Sequence, residues 1–221
     1  MLKSSDEYKN LTIKEFTKAE RIYEKNNAGI YKICRKDYPD ILKELEREPF
    51  EDLLDAGCGP GSMIAILENQ MPGKHYTGID LTPAMIEEAK SKKLPDAEFI
   101  VGDCENMPFE DDSFDVILCS NSAHHYPEIE KFYCCVYRCL RPDGRLILRD
   151  FTSDSSIVRW VATHLEMPLA HMSGHGDVDM LHRDEVARGL EAVGMKIEKN
   201  EIRRGGRLHL VARKPVQESK Q

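Results

Sequence analysis

From residue 52 onward, short apolar runs alternate with longer stretches whose apolar residues recur at helical spacing. The runs Asp52–Ala56, His75–Asp80, Glu98–Gly102, Phe114–Ser120 and Arg145–Asp150 read as strands. The stretches Ser62–Gln70, Pro83–Lys92 and Pro127–Leu140 read as helices between them. Such alternation predicts a parallel sheet covered by helices on both faces. The link from Gly102 to Phe114 is too short for a full helix. Arg141-Pro142-Asp143-Gly144 reads as a turn that ends one helix and launches a strand. Near the C-terminus a helix, Arg183–Ala192, stops at Gly194. Two closing strands follow, Lys196–Ile202 and Arg207–Arg213, joined by Gly205-Gly206, which is hairpin chemistry. An antiparallel hairpin closing an otherwise parallel sheet is a specific topology.

The pattern differs in two places. Residues 1–50 hold no good strand and predict an N-terminal helical arm. Leu11, Ile13, Phe16, Ala19, Ile22 and Tyr23 share helical spacing. A second short helix is expected around Ile30, Tyr31, Ile33 and Cys34, and a third from Pro39 through Ile41, Leu42 and Leu45. Tyr23, Tyr31 and Tyr38 are arm aromatics that face either a ligand or the core. Residues 152–182, with Trp160, Met167, Met172 and the bend Ser173-Gly174-His175-Gly176, form an insertion, either a lid or a structural excursion. The organisation expected is an arm over 1–50, a main domain over 51–214 carrying that insertion, and a disordered polar tail over 215–221.

Composition narrows the class. With 221 residues, 41% hydrophobic and 32% charged, the chain has the balance of a soluble globular protein. A net charge of −8 disfavours a sequence-independent phosphate-binding surface, so no nucleic-acid partner is expected. No apolar run reaches the roughly 20 residues of a membrane span, and the first residues lack a signal-peptide core. Seven cysteines without metal-finger spacing suit reduced thiols, and the location expected is the cytoplasm.

The chemistry centres on Asp55-Ala56-Gly57-Cys58-Gly59-Pro60-Gly61, a glycine turn between a strand and a helix. Such a turn brings backbone N–H groups and a helix N-terminus to a ligand. Alone, it reads equally well as an ordinary tight turn. Two acids add to it. Asp80 ends the second strand, where a carboxylate accepts ribose hydroxyls. Asp103 ends the third, where a carboxylate accepts from an exocyclic amine while the Cys104 N–H reaches a ring nitrogen, a pairing that suits adenine. The blander readings are a helix cap near Thr82 for Asp80 and a loop cap over Glu105-Asn106-Met107 for Asp103.

With these stretches in place, the sequence resembles the class I S-adenosylmethionine-dependent methyltransferases of the small-molecule type. The matching segments are Leu53 to Gly61, Tyr76 to Ile86, Gly102 to Phe109, Ser113 to Ile117 and Leu140 to Leu146, in that order. The resemblance implies a Rossmann-like, doubly wound α/β fold with a seven-stranded sheet whose last strand is antiparallel. It also implies S-adenosylmethionine as cofactor. Asp55, Gly57, Cys58, Gly59 and Gly61 would contact its methionine part, Asp80 its ribose, and Asp103 with Cys104 its adenine. Leu81 and Met85 would line the adenine or ribose side. Ser120 and Asn121 would lie beside the methyl group. Cys58 and Cys104 contribute small size and backbone rather than thiol chemistry.

The stretch Ser120-Asn121-Ser122-Ala123-His124-His125-Tyr126 speaks to the acceptor. It lacks the Asn/Asp-Pro-Pro-aromatic element of nucleic-acid amino-methyltransferases that resemble this fold, which argues against a DNA base. His125, or failing that His124, is the candidate general base, because neutral imidazole accepts a proton near pH 7. Adjacent side chains diverge, so at most one of the two is expected to act. Of the histidines in the insertion only His171 and His175 have helical metal spacing, and the glycines around them make a helix doubtful; no metal is expected. The reading is methyl transfer to a small-molecule acceptor. A nicotinamide-dependent oxidoreductase shares the strand–glycine–helix start but not the Gly-x-Gly-x-Gly spacing, Asp103 or the closing hairpin. A non-catalytic module that binds the cofactor fits the loop and acids equally well.

Overall fold

The computed structural model describes residues 3–23, 34–166, 169, 171 and 175–216. Strands β1 (Asp52–Ala56), β2 (His75–Asp80), β3 (Ala97–Val101), β4 (Phe114–Ser120), β5 (Leu140–Phe151), β6 (Lys196–Arg203) and β7 (Arg207–Arg213) form one sheet. Its order is β3-β2-β1-β4-β5-β7-β6. The first five strands pair in parallel, and β7 runs antiparallel to both β5 and β6. This is the seven-stranded sheet with an antiparallel closing hairpin that the pattern predicts. Gly205 and Gly206, at φ +85° and +68°, make its turn.

The helices are α1 (Ser5–Tyr23), α2 (Tyr38–Leu45), α3 (Ser62–Gln70), α4 (Pro83–Ser91), α5 (Ile129–Cys139), α6 (Ser156–Val161), which runs into a π-helical turn over Ala162–Glu166, and α7 (Arg183–Ala192). One expectation needs correcting. Arg141 to Gly144 does not precede β5 but lies inside it as an irregularity. Leu140 pairs with Phe114, yet the next partner, Arg145, pairs with Val116, and the residues between bulge out of register. Between β3 and β4 there is only a single 3₁₀ turn, Cys104–Asn106. Ile30, Tyr31, Ile33, Met167, Met172, Ser173, Gly174 and the tail from residue 217 lie outside the described residues.

Two apolar layers cover the sheet because successive strand residues point to opposite faces. Leu54, Ala56, Ile117, Cys119, Leu146 and Leu148 pack with Phe132 and Val136 of α5 and Val186 and Leu190 of α7. The intervening residues Leu53, Val116, Leu118 and Ile147 pack with Ile41 and Leu45 of α2, Ile64 and Leu67 of α3, and Ile86 and Ala89 of α4. All seven cysteines are free. Among the described residues no helix is long and apolar enough to cross a membrane.

Strand order reverses at β1, which lies between β2 and β4. In open α/β sheets such a switch point leaves a crevice beyond the carboxyl ends of the strands. Asp55, Asp80, Asp103 and Ser120 all sit at those ends.

Candidate active site

A cleft of about 920 Å³, its open mouth included, occupies this crevice, a size suited to a small molecule. The glycine loop and the ends of β2 and β4 form one side. Lys9, Thr12 and Phe16 of α1 and Tyr38 of α2 close over it. Of the residues expected from sequence, Asp55, Gly57, Cys58, Gly59, Asp80, Leu81, Met85, Asp103, Cys104, Ser120, Asn121 and His125 line it. Gly61 and His124 do not.

The glycine loop is a shaped wall rather than a row of free donors. Gly57 and Cys58 both donate to the Ile79 carbonyl, at 2.8 and 3.0 Å, and Gly61 donates to the Cys58 carbonyl at 3.0 Å. Gly59 donates to Asp80 Oδ2 at 2.9 Å. The Gly57, Cys58 and Gly59 amides thus hold the loop onto β2, and the Gly61 amide closes the loop on itself. What it offers is space. A Cβ on Gly59 would meet nothing within 4 Å, and the residue's φ of +51° suits glycine. Gly61 has a different task. A Cβ there would lie 2.9 Å from the Phe99 ring and 3.1 Å from Ala89, so it is small because α3 packs closely onto its neighbours.

The acids are held by the backbone. Asp80 Oδ1 accepts from Thr82 N at 2.8 Å, and Thr82 itself makes no side-chain cap. Burial raises the Asp80 carboxyl, and the Thr82 and Gly59 amides counter it. Each carboxylate oxygen keeps a second acceptor position for a hydroxyl. Asp55 is buried, and burial followed by the nearby Asp80 charge pushes it up to about 7. Asp103 caps the 3₁₀ turn through Glu105 N at 2.8 Å, the blander of its two readings, while still lining the cleft. Its other oxygen pairs with Lys9 Nζ at 2.7 Å, and Lys9 also reaches Glu105 at 2.6 Å. Burial alone would lower the Lys9 ammonium; its bonds to Asp103 and Glu105 outweigh that and raise it. One lysine thus ties α1 to the end of β3.

Asn121, at φ +56°, is anchored from beneath. Its amide donates to Asp37 Oδ2 at 3.1 Å and Ser120 Oγ at 3.0 Å, and its carbonyl accepts from Arg207. Asp37 is fully buried and also receives Arg149 and Arg207. Ser122 Oγ and Tyr126 OH hydrogen-bond each other at 2.8 Å, and Ser122 packs so close to Gly57 that a Cβ there would overlap it at 1.9 Å.

The two histidines have opposite environments. His124 Nδ1 lies 2.7 Å from the fully buried Asp150, and Nε2 lies 3.4 Å from Asp177. Burial works against its charge, but the two carboxylates prevail and raise it to about 10. His124 is a cationic strut away from the cleft wall, which makes it unsuited to take a proton near neutrality. His125 is buried against Phe16, with ring centroids 5.2 Å apart. Burial and the neighbouring His124 charge lower it to about 4. It is the neutral imidazole of the pair and the one on the cleft wall. Of the arm aromatics, Tyr38 lines the cleft; the Tyr23 side chain and Tyr31 lie outside the described residues.

Sequence reading missed Lys9, Asp37, Asp150, Asp177, Arg149 and Arg207. Each acts through a partner 26 to 170 residues away, from Asp150 on His124 to Arg207 on Asp37. No local spacing marks such pairs.

This sheet order, with the glycine loop and acids at the switch point, defines a Rossmann-like α/β domain. Residues 54–148 match the family model for the methyltransferase domain. The chain is 36% identical over 140 residues to phthiotriol/phenolphthiotriol dimycocerosates methyltransferase 1 of Mycobacterium ulcerans, covering 63% of this chain and 50% of that protein. It is 31% identical over 140 residues to a fatty-acid O-methyltransferase of Mycolicibacterium smegmatis, covering 63% of this chain and 49% of that one. The match thus spans about half the length of these relatives. An S-adenosylmethionine-dependent methyltransferase from Aquifex aeolicus shares the fold, with a TM-score of 0.63 at 19% identity over 80% of this chain and 89% of that one. Residues 54–148 thus carry the sequence pattern of a methyltransferase domain, and the chain has the fold of the Aquifex aeolicus enzyme.

Proposed function

We propose that this chain transfers the methyl group of S-adenosylmethionine to an oxygen of a small, fatty-acid-like acceptor. The observation that carries the reading is the single cleft that joins the glycine loop, Asp80, Asp103 and the end of β4 to His125. The residues fit the cofactor. The open space over Gly59 admits a ligand against the backbone, Asp80 retains acceptor positions for ribose hydroxyls, and Asp103 with the Cys104 amide suits adenine. When bound, the cofactor supplies a methyl group on an electrophilic sulfonium.

The protein's part is orientation and exclusion of water. Phe16, Thr12 and Lys9 of α1 roof the cleft and would shield it. Holding the nucleophile in line can itself supply a large share of the rate. His125, neutral near pH 7, would accept a hydrogen bond from the acceptor's hydroxyl and steer its lone pair toward the methyl group. With its basicity reduced by burial it is a weak base, which suits a proton that leaves late. A lipid-like acceptor follows the two relatives' names. It also suits the exposed Ile157, Trp160, Leu165 and Leu169 of the segment after β5.

The test is label transfer from methyl-labelled S-adenosylmethionine, run in parallel with a total lipid extract and an aqueous metabolite extract. Label in an organic-soluble product, lost in Asp80→Ala, is the expected result. Calorimetric cofactor binding with no labelled product in either extract would instead identify a non-catalytic binding module.

A further inference from the structure

The His124–His125 pair poses a problem that protons alone do not solve. Asp150 holds His124 Nδ1 at 2.7 Å and also accepts from the backbone of His124 and Phe151, at 3.2 and 2.7 Å. With Nδ1 fixed as the donor, His124 Nε2 points at Asp177 Oδ1, 3.4 Å away. His125 Nδ1 lies 3.6 Å from the same oxygen, beyond hydrogen-bond length, and is a buried nitrogen with no hydrogen-bond partner. A proton on His124 Nε2 satisfies one of these contacts. A second proton on His125 would place two imidazolium rings with centroids 4.1 Å apart.

We propose that His124 Nε2, His125 Nδ1 and Asp177 Oδ1 form a binding site for a first-row divalent transition metal. One ligand atom from each of the three residues lies within 4.8 Å of the other two. Ligands bound to zinc at about 2.0–2.1 Å with tetrahedral angles stand roughly 3.3–3.4 Å apart, so the two contacts to Asp177 already have near-ligand spacing. One dication takes the place of the His124 Nε2 proton, which passes to solvent, and satisfies all three atoms at once, the unpartnered His125 nitrogen included. Asp150 is the outer carboxylate that orients a metal-bound imidazole through its far nitrogen. Two imidazoles and one carboxylate suit Zn²⁺, Co²⁺, Ni²⁺ or Fe²⁺ better than Mg²⁺ or Ca²⁺. Asp177 comes from the segment before α7, over 50 residues from the histidines, which is why no sequence spacing announces the site. Because His125 also lines the cleft, the ion borders the acceptor's end, with positions left for an oxygen ligand. An occupied site engages the His125 Nδ1 lone pair, so metal loading and proton acceptance at that atom exclude each other.

The test needs no acceptor and no turnover. The full chain is stripped with a chelator and titrated with Co²⁺ while its visible d–d absorption is followed. The expected result is one Co²⁺ per chain, displaced by Zn²⁺, without the thiolate charge-transfer absorption that the free cysteines would give. Asp177→Asn and His125→Gln should abolish the band, and Asp150→Asn, which reaches the ion only through His124, should weaken binding about 10–100-fold. Calorimetric S-adenosylmethionine affinity reports that each variant is folded. Absence of a stoichiometric band in the wild-type chain, a thiolate signature, or a band unchanged in Asp177→Asn would overturn the proposal and leave a simple histidine–carboxylate ion pair.

Discussion

Asp37→Asn should be among the most damaging single changes, although Asp37 touches neither cofactor nor acceptor. The carboxylate is 0% exposed. Oδ1 accepts from Arg149 Nε and a terminal nitrogen of the same guanidinium, at 3.2 and 2.6 Å, and from Arg207 Nε at 3.2 Å. Oδ2 accepts from Asn121 at 3.1 Å and from Arg207. An asparagine keeps one acceptor oxygen and turns an NH₂ group toward these donors. Arg149 retains Asp40 at 3.1 Å. Among the described residues Arg207 keeps the Asn121 carbonyl and the Phe151 face at 3.9 Å, with the Asp150 charge acting at longer range, so a buried guanidinium loses its directly bonded counter-charge. Removing one partner of a buried pair costs about 3–5 kcal/mol. For a chain of this length that lowers Tm by about 6–20 °C. Circular dichroism melts measure it. Adding Arg207→Met to Asp37→Asn should recover part of the loss, because the stranded charge is gone. A Tm within about 2 °C of wild type, with no recovery in the double variant, would refute the reasoning.

Asp80→Ala should weaken S-adenosylmethionine binding about 10–100-fold in calorimetry; unchanged affinity would remove the ribose assignment. Gly59→Val should lose the cofactor while the far-UV spectrum stays native, because the new side chain projects into open cleft space and strains only the local turn at its φ of +51°. Gly61→Val should instead unfold the chain through its clash with Phe99. His125→Asn should lower turnover about 100–10,000-fold if the imidazole acts on the acceptor. Wild-type kcat/KM should then stay level down to about pH 5 and fall toward about 4, where His125 titrates. His124→Asn should chiefly cost stability. The folded value for His124 is raised from 6.5 to about 10, so the native chain holds the proton more tightly than the unfolded one. That contribution is full below pH 6.5 and disappears as pH rises toward 10. The Tm gap between wild type and His124→Asn should therefore be largest at pH 6 and shrink by pH 10.

The sequence by itself determined the sheet and the glycine-loop wall of the cleft. Short continuous apolar runs such as Leu53 to Ala56, buried on both faces, against helical spacing in Ile129 to Cys139, specify strand and helix locally, because a central parallel strand must be apolar on both sides and a helix on one. Gly59 and Asp80 were legible for a related reason: a positive φ and a strand-end acid are demands of the local backbone. Tertiary structure decided everything that depends on who meets whom. Two adjacent, chemically identical imidazoles face opposite shifts because, of the two rings, the buried Asp150 bonds His124 alone, while burial and the His124 charge act on His125. Gly61 was separated from Gly59 only by the position of Phe99. Lys9 could be matched to Asp103 and Glu105 only once α1 lay across the cleft. Charge states and contacts between distant segments follow from distance and burial, and a linear order of residues contains neither.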